Sequence, residues 1–113
     1  MPYIHTKTNV AISAEKEFKL KAELGKAISI IPGKSERWLM LNFTENERMW
    51  FAGDDSPCAM LEVELFGGTS DSVYDSLTEK LTEIISDELG ISPSRVYVKY
   101  EEIDHWGWNS ANF

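Results

Sequence analysis

Four places in this chain of 113 residues hold groups able to do chemistry. The first is Pro2, directly behind Met1. Methionine before a small residue is readily removed, which would leave proline with a free secondary amine. An α-amino group titrates at about 7.7–8.0, and burial or a neighbouring lysine lowers that value. An amine that is neutral near pH 7 can take a proton from carbon and hand it back. Proline also holds the amine rigidly, because its φ is fixed. A Met-Pro start carries little weight alone, since many chains begin so without catalytic purpose.

The second place is Gly33-Lys34, just past a helix. Its lysine either serves a site or simply complements the negative end of the helix dipole. The third is Ile91-Ser92-Pro93-Ser94-Arg95-Val96-Tyr97-Val98, and the fourth is the terminal run Trp106-Gly107-Trp108-Asn109-Ser110-Ala111-Asn112-Phe113. Aromatic residues in such a tail suit packing, a subunit interface or an apolar pocket.

Composition excludes several functions. The formal net charge is −8, from 19 acids and 11 bases, so the chain lacks the positive footprint that nucleic acid or an anionic membrane requires. Cys58 is the single cysteine and His5 and His105 stand far apart, so neither a disulfide nor a metal-ligand cluster is expected. No cofactor is implied. No segment approaches the ~18–20 apolar residues of a membrane span, and the N-terminus lacks a signal-peptide core. Cytoplasmic residence is the expectation.

The elements that must position these groups follow from periodicity. Residues 2–8 alternate as a strand, with Ile4, Thr6 and Thr8 opposite Tyr3, His5 and Lys7. Ser13 offers a helix N-cap, and Phe18, Leu24, Ala27, Ile28 and Ile31 form the apolar stripe that follows, ended by Pro32-Gly33. Residues 38–43 have strand length, and 44–57 read as a polar loop. The pattern then restarts. Residues 58–65 alternate and Gly67-Gly68 turns the chain. Thr69 or Ser70 caps a second helix that buries Val73, Leu77, Leu81, Ile84, Ile85 and Leu89, and Gly90 stops it. Residues 95–100 make a last strand.

The chain of 113 residues therefore reads as one α/β (α+β) domain of two βαβ units, with Gly33 and Gly90 at matching places. Each unit should hold two parallel strands with a right-handed crossover. Joined side by side, they give a four-stranded mixed sheet with both helices on one face. The apolar residues on several strands imply that the other face is covered, and further subunits are the expected cover.

Taken in order, Pro2 and its strand, Thr8-Asn9-Val10, Gly33-Lys34, Ser56-Pro57-Cys58-Ala59, Gly67-Gly68, the ISPSRVY stretch and the GWNSANF tail resemble the macrophage migration inhibitory factor family of the tautomerase superfamily. The resemblance runs the length of the chain. It implies a homotrimer with a site at each subunit interface and Pro2 as the base of an enol–keto tautomerisation of phenylpyruvate-like or dopachrome-like substrates. It also implies Lys34 on the substrate carboxylate, Phe66 beside the substrate and Tyr97 from the neighbouring subunit. Trp38, Trp108 and Phe113 would line the pocket.

Three departures bear on that transfer. Lys99 stands where vertebrate members carry asparagine, and would either add a second cation to the pocket or face solvent. Trp106 replaces a smaller apolar residue and would narrow the pocket. Cys58-Ala59-Met60-Leu61 keeps only the first cysteine of the vertebrate CxxC, so thiol oxidoreductase activity does not carry over and Cys58 is expected to be buried packing. A second function of a different class stays open: a cytokine-like ligand released without a signal peptide, acting on a protein receptor with a vestigial site. So does a trimer that binds an aromatic acid without turning it over.

Overall fold

The structure is a computed structural model that describes residues 1–113. Strand β1 (Pro2–Thr8) leads to helix α1 (Ala14–Ala27) and strand β2 (Met40–Thr44); strand β3 (Ala59–Phe66) leads to helix α2 (Asp71–Leu89) and strand β4 (Val96–Ile103). Strand order is β2-β1-β3-β4. The pairs β1–β2 and β3–β4 are parallel, and the central pair β1–β3 is antiparallel. The two-unit mixed sheet read from periodicity is the fold. No helix is long and apolar enough to cross a membrane.

The caps explain where the helices begin. Ser13 accepts from the Lys16 amide at 3.2 Å, and Ser70, rather than Thr69, accepts from the Val73 amide at 3.4 Å. Helix α2 ends on Gly90 in the left-handed region at φ 68, which a residue with a Cβ adopts at a cost. Helix α1 does not end cleanly. It tightens into a 3₁₀ turn at Ile28–Ile30 before Pro32-Gly33 turns the chain.

Both helices lie on one face. Their Leu20, Leu24, Ile28, Leu77, Leu81 and Ile85 pack on Ile4, Leu61, Val63 and Leu65 of the central strands. Burial of such side chains contributes roughly 1.5–3 kcal/mol each and holds the layers together. Cys58 is buried beside this core, as expected.

Three expectations are corrected. Phe18 lies outside the buried stripe of α1 and is 71% exposed; Leu20 takes the inward place. Strand β2 starts at Met40 rather than residue 38, because Glu36–Trp38 form a 3₁₀ turn. The open sheet face is also less apolar than expected. The apolar alternates point to the helices, and the outer face carries His5, Lys7, Glu62, Glu64 and Lys99 among Tyr3, Met40, Met60 and Tyr97. Lys7 Nζ stands 2.6 Å and Lys99 Nζ 3.3 Å from the Glu62 carboxylate. An apolar cover is therefore not what this face by itself demands.

Candidate active site

The mixed topology brings four strand ends together. Because β1 runs with β2 and against β3, the starts of β1 and β2 meet the ends of β3 and β4: Pro2 pairs with Leu65, Tyr3 with Met40, and Phe66 with Ile103. The exit from α1 returns to the same end through Gly33, whose φ of 82 lets the chain turn sharply. Lys34 Nζ then donates to the Phe66 carbonyl at 3.0 Å, and the Phe66 amide donates to the Met1 carbonyl at 3.0 Å. Pro2 is buried at the start of β1.

Electrostatics at this end favour a neutral amine. The Met1 amine is lowered from 8.0 to about 6, first by burial, then by the charge of Lys34 and by its hydrogen bond with that lysine. Met1 also lines the adjoining cleft, whose lining does not include Lys34.

The tail supplies the wall. Gly107–Trp108 and Ala111–Asn112 form a two-stranded hairpin (β5 and β6). Asn109 and Ser110 both have positive φ, the signature of a type I′ turn. The Phe113 amide donates to the Trp106 carbonyl at 3.0 Å and closes the tail. Trp108 meets Trp38 edge-on with centroids 5.0 Å apart, and Phe113 lies 5.8 Å from Phe66. Between Pro2, Trp38, Met40, Trp106 and Trp108 opens a cleft of about 460 Å³, within the range that holds small ligands. Arg37 and Glu64 line it too. Burial, and after it the neighbouring Glu101, pushes the Glu64 carboxyl up.

The family model for macrophage migration inhibitory factor matches residues 1–113. The chain belongs to the macrophage migration inhibitory factor family. It is 29% identical to macrophage migration inhibitory factor of Mus musculus over 115 aligned positions, which cover 100% of this chain and 99% of the relative. The crystal structure of Leishmania major MIF2 matches at a TM-score of 0.94 and 32% identity, covering 100% of this chain and 97% of that one. The homologue from Prochlorococcus marinus matches at 0.83 and 26% identity, with 98% of each chain covered.

Against that macrophage migration inhibitory factor frame, the expected site residues divide. Pro2, Trp38, Trp106 and Trp108 share the cleft, with Lys34, Phe66 and Phe113 on its flank. Tyr97 and Lys99 do not join them within one chain. Tyr97 aligns with Met60, five residues from Leu65, so it sits about 17 Å along the sheet from Pro2. There its ring packs on Phe51 at 4.8 Å. Lys99 aligns with Glu62 and is ion-paired to it on the open face.

Several motifs that carry the family resemblance prove to be one clamp rather than part of the cleft. Asn9 accepts from the Cys58 amide at 2.9 Å and donates to the Asp55 and Ser56 carbonyls, while the Arg95 guanidinium donates to the carbonyls of Phe51, Asp54, Ser56 and Pro57. Sequence reasoning missed Met1, Met40, Arg37 and Glu64 as cleft residues. A signal existed for Glu64, which alternation places on the open face beside Tyr3. None existed for Arg37 beyond its adjacency to Trp38.

Proposed function

We propose that the chain, once Met1 is removed, is an enol–keto tautomerase of aromatic 2-oxo acids in which the Pro2 amine is the base. The arrangement that carries this reading is the terminal amine held next to Lys34 at the mouth of an aromatic cleft. Removal of Met1 frees the Pro2 nitrogen and joins Lys34 to the cleft. The burial and positive charge that lower the Met1 amine then act on Pro2.

The neutral Pro2 nitrogen takes the proton from the carbon beside the ketone. The C–H electron pair becomes the new C=C bond, the C=O π pair moves onto the oxygen, and the Pro2 ammonium then gives its proton to that oxygen, restoring the neutral amine. Lys34 binds the substrate carboxylate, and its charge stabilises the enolate more than the ground state. Trp38, Trp106, Trp108, Phe66 and Phe113 bind the ring. In a homotrimer, Tyr97 reaches the site from the adjacent copy, which its place at the far end of the sheet favours, while Lys99 either adds a second cation there or stays on the open face with Glu62. The partner is then a small aromatic 2-oxo acid, with dopachrome-like compounds as a second substrate group.

The test is the decay of phenylpyruvate enol, followed by absorbance, with processed protein beside Pro2→Gly. The expected loss in Pro2→Gly is at least ~100-fold, the usual scale of general base catalysis. Equal rates in the two proteins would overturn the reading. A receptor ligand with a vestigial site would accelerate neither direction of the reaction in any form.

A further inference from the structure

We propose that Arg37 is a second anion-binding group of this cleft, and that the preferred substrate carries two anionic groups, one at its 2-oxo acid end and one across its aromatic ring. This rests on the Pro2 tautomerase reading for the first of those groups and adds a requirement at the other end.

The Arg37 guanidinium lies 5.3 Å over the Trp38 ring and lines the same cleft as Pro2. A guanidinium stacked on an aromatic face keeps its N–H edge free and is held in place for a planar, two-point contact with a carboxylate. Arg37 makes no salt bridge in this chain, whereas its fellow arginine Arg95 pairs with Asp54 at 3.0 Å. Its neighbour Glu36 is turned away. That carboxylate lies 3.6 Å from Lys21 Nζ and occupies the space over Gly25 where a Cβ would stand.

Arg48 makes no salt bridge either but lies outside this cleft, whereas Arg37 places its free charge on an aromatic wall where an anionic group of a bound acid can meet it. Glu64 is the acid that lines the cleft with it, and burial with Glu101 disfavours its charged form. Lys34 lies on the flank formed with Phe66, while Arg37 sits over Trp38. Lys34 is held on the Phe66 carbonyl outside the cleft lining and Arg37 is part of that lining, so the two cations offer separate contacts that a ring with a carboxylate on each side fills.

The experiment uses processed wild-type protein, Arg37→Ala and Arg37→Lys with two substrates, phenylpyruvate and 4-carboxyphenylpyruvate. The expected result is a lower KM for the carboxylated compound in the wild type. Arg37→Ala should raise that KM about tenfold, the scale of one charge-assisted hydrogen bond, and raise the KM for phenylpyruvate by a clearly smaller factor. Arg37→Lys should fall between, because a lysine makes a point contact. A change of the same size on both substrates, or none on the carboxylated one, would overturn the proposal.

Tryptophan-fluorescence titration of both compounds into Pro2→Gly separates this idea from the reading it rests on. Tighter binding of 4-carboxyphenylpyruvate that vanishes in Arg37→Ala supports the Arg37 site even where no variant turns over substrate. Equal binding of the two acids sinks it whether or not Pro2 is catalytic. Arg37 is exposed and outside the core, so its variants should fold normally.

Discussion

The ammonium of Lys34 reaches the main-chain carbonyl of Phe66 over 3.0 Å, joining the exit of helix α1 to the last residue of β3. The same lysine faces the terminal amine, so one side chain both braces the fold and adds to the burial that lowers that amine. Bracing and chemistry can be separated by titration.

For the Pro2 base the protonated amine is inactive, so kcat/KM should rise with pH through the amine pKa and then level off. In the unprocessed chain burial lowers the Met1 amine most and the charge and hydrogen bond of Lys34 add to it, and the proposed base takes over that neighbourhood once Met1 is gone. Lys34→Ala should therefore move the midpoint to higher pH without removing the whole depression. A pH–rate profile with an unmoved midpoint would place Lys34 away from the base.

Two threonines on β1 make opposite predictions. Thr6 and Thr8 are both fully buried, but the Thr8 hydroxyl donates to the Cys58 carbonyl at 2.8 Å while the Thr6 hydroxyl has no partner. A buried unpaired hydroxyl costs about 1–3 kcal/mol, so Thr6→Val should raise stability by about 1 kcal/mol, or roughly 4 °C in Tm. Thr8→Val should lower it, because the Cys58 carbonyl loses its donor. Calorimetry of both variants checks the pair, and a common sign would contradict it.

The tail hairpin asks two non-glycine residues to take left-handed backbone, Asn109 at φ 50 and Ser110 at φ 69. Serine bears that cost where glycine would not. Ser110→Gly should steady the hairpin by about 0.5–1 kcal/mol. Slower amide exchange at Phe113, whose N–H is bonded to Trp106, is the readout.

Arg95 holds the 51–57 loop by four carbonyls and by Asp54. Its side chain is only 15% exposed, so Arg95→Ala strands those acceptors and should cost about 2 kcal/mol. Phe51 would lose its anchor, and the Tyr97 ring that packs on it would become mobile. Urea unfolding and the ring resonances of Tyr97 report the two effects separately.

Much of this protein is written locally. The alternation of residues 2–8, the serine caps and the paired glycines 33 and 90 fix both βαβ units, because strand and helix periods are properties of neighbouring residues. The resemblance of motifs gave the family, and with it Pro2, Lys34 and the aromatic tail. The helical period, followed strictly, selects Leu20 over Phe18: Leu20 stands four residues before the buried Leu24, whereas Phe18 stands six before it, about a third of a turn off the stripe, and is exposed.

The site itself was decided by tertiary structure. Which strand ends meet depends on the antiparallel register of β1 on β3, which no local pattern encodes. That register puts Pro2 with Leu65 and Phe66 and sends Tyr97 to the other end of the sheet. The parallel pairing of β1 with β2 brings Trp38 to the same end and seats Arg37 at the cleft, a residue whose type and neighbours in sequence mark an ordinary surface turn. Sequence determined the parts and their order; the register between distant strands determined which charges share a cavity.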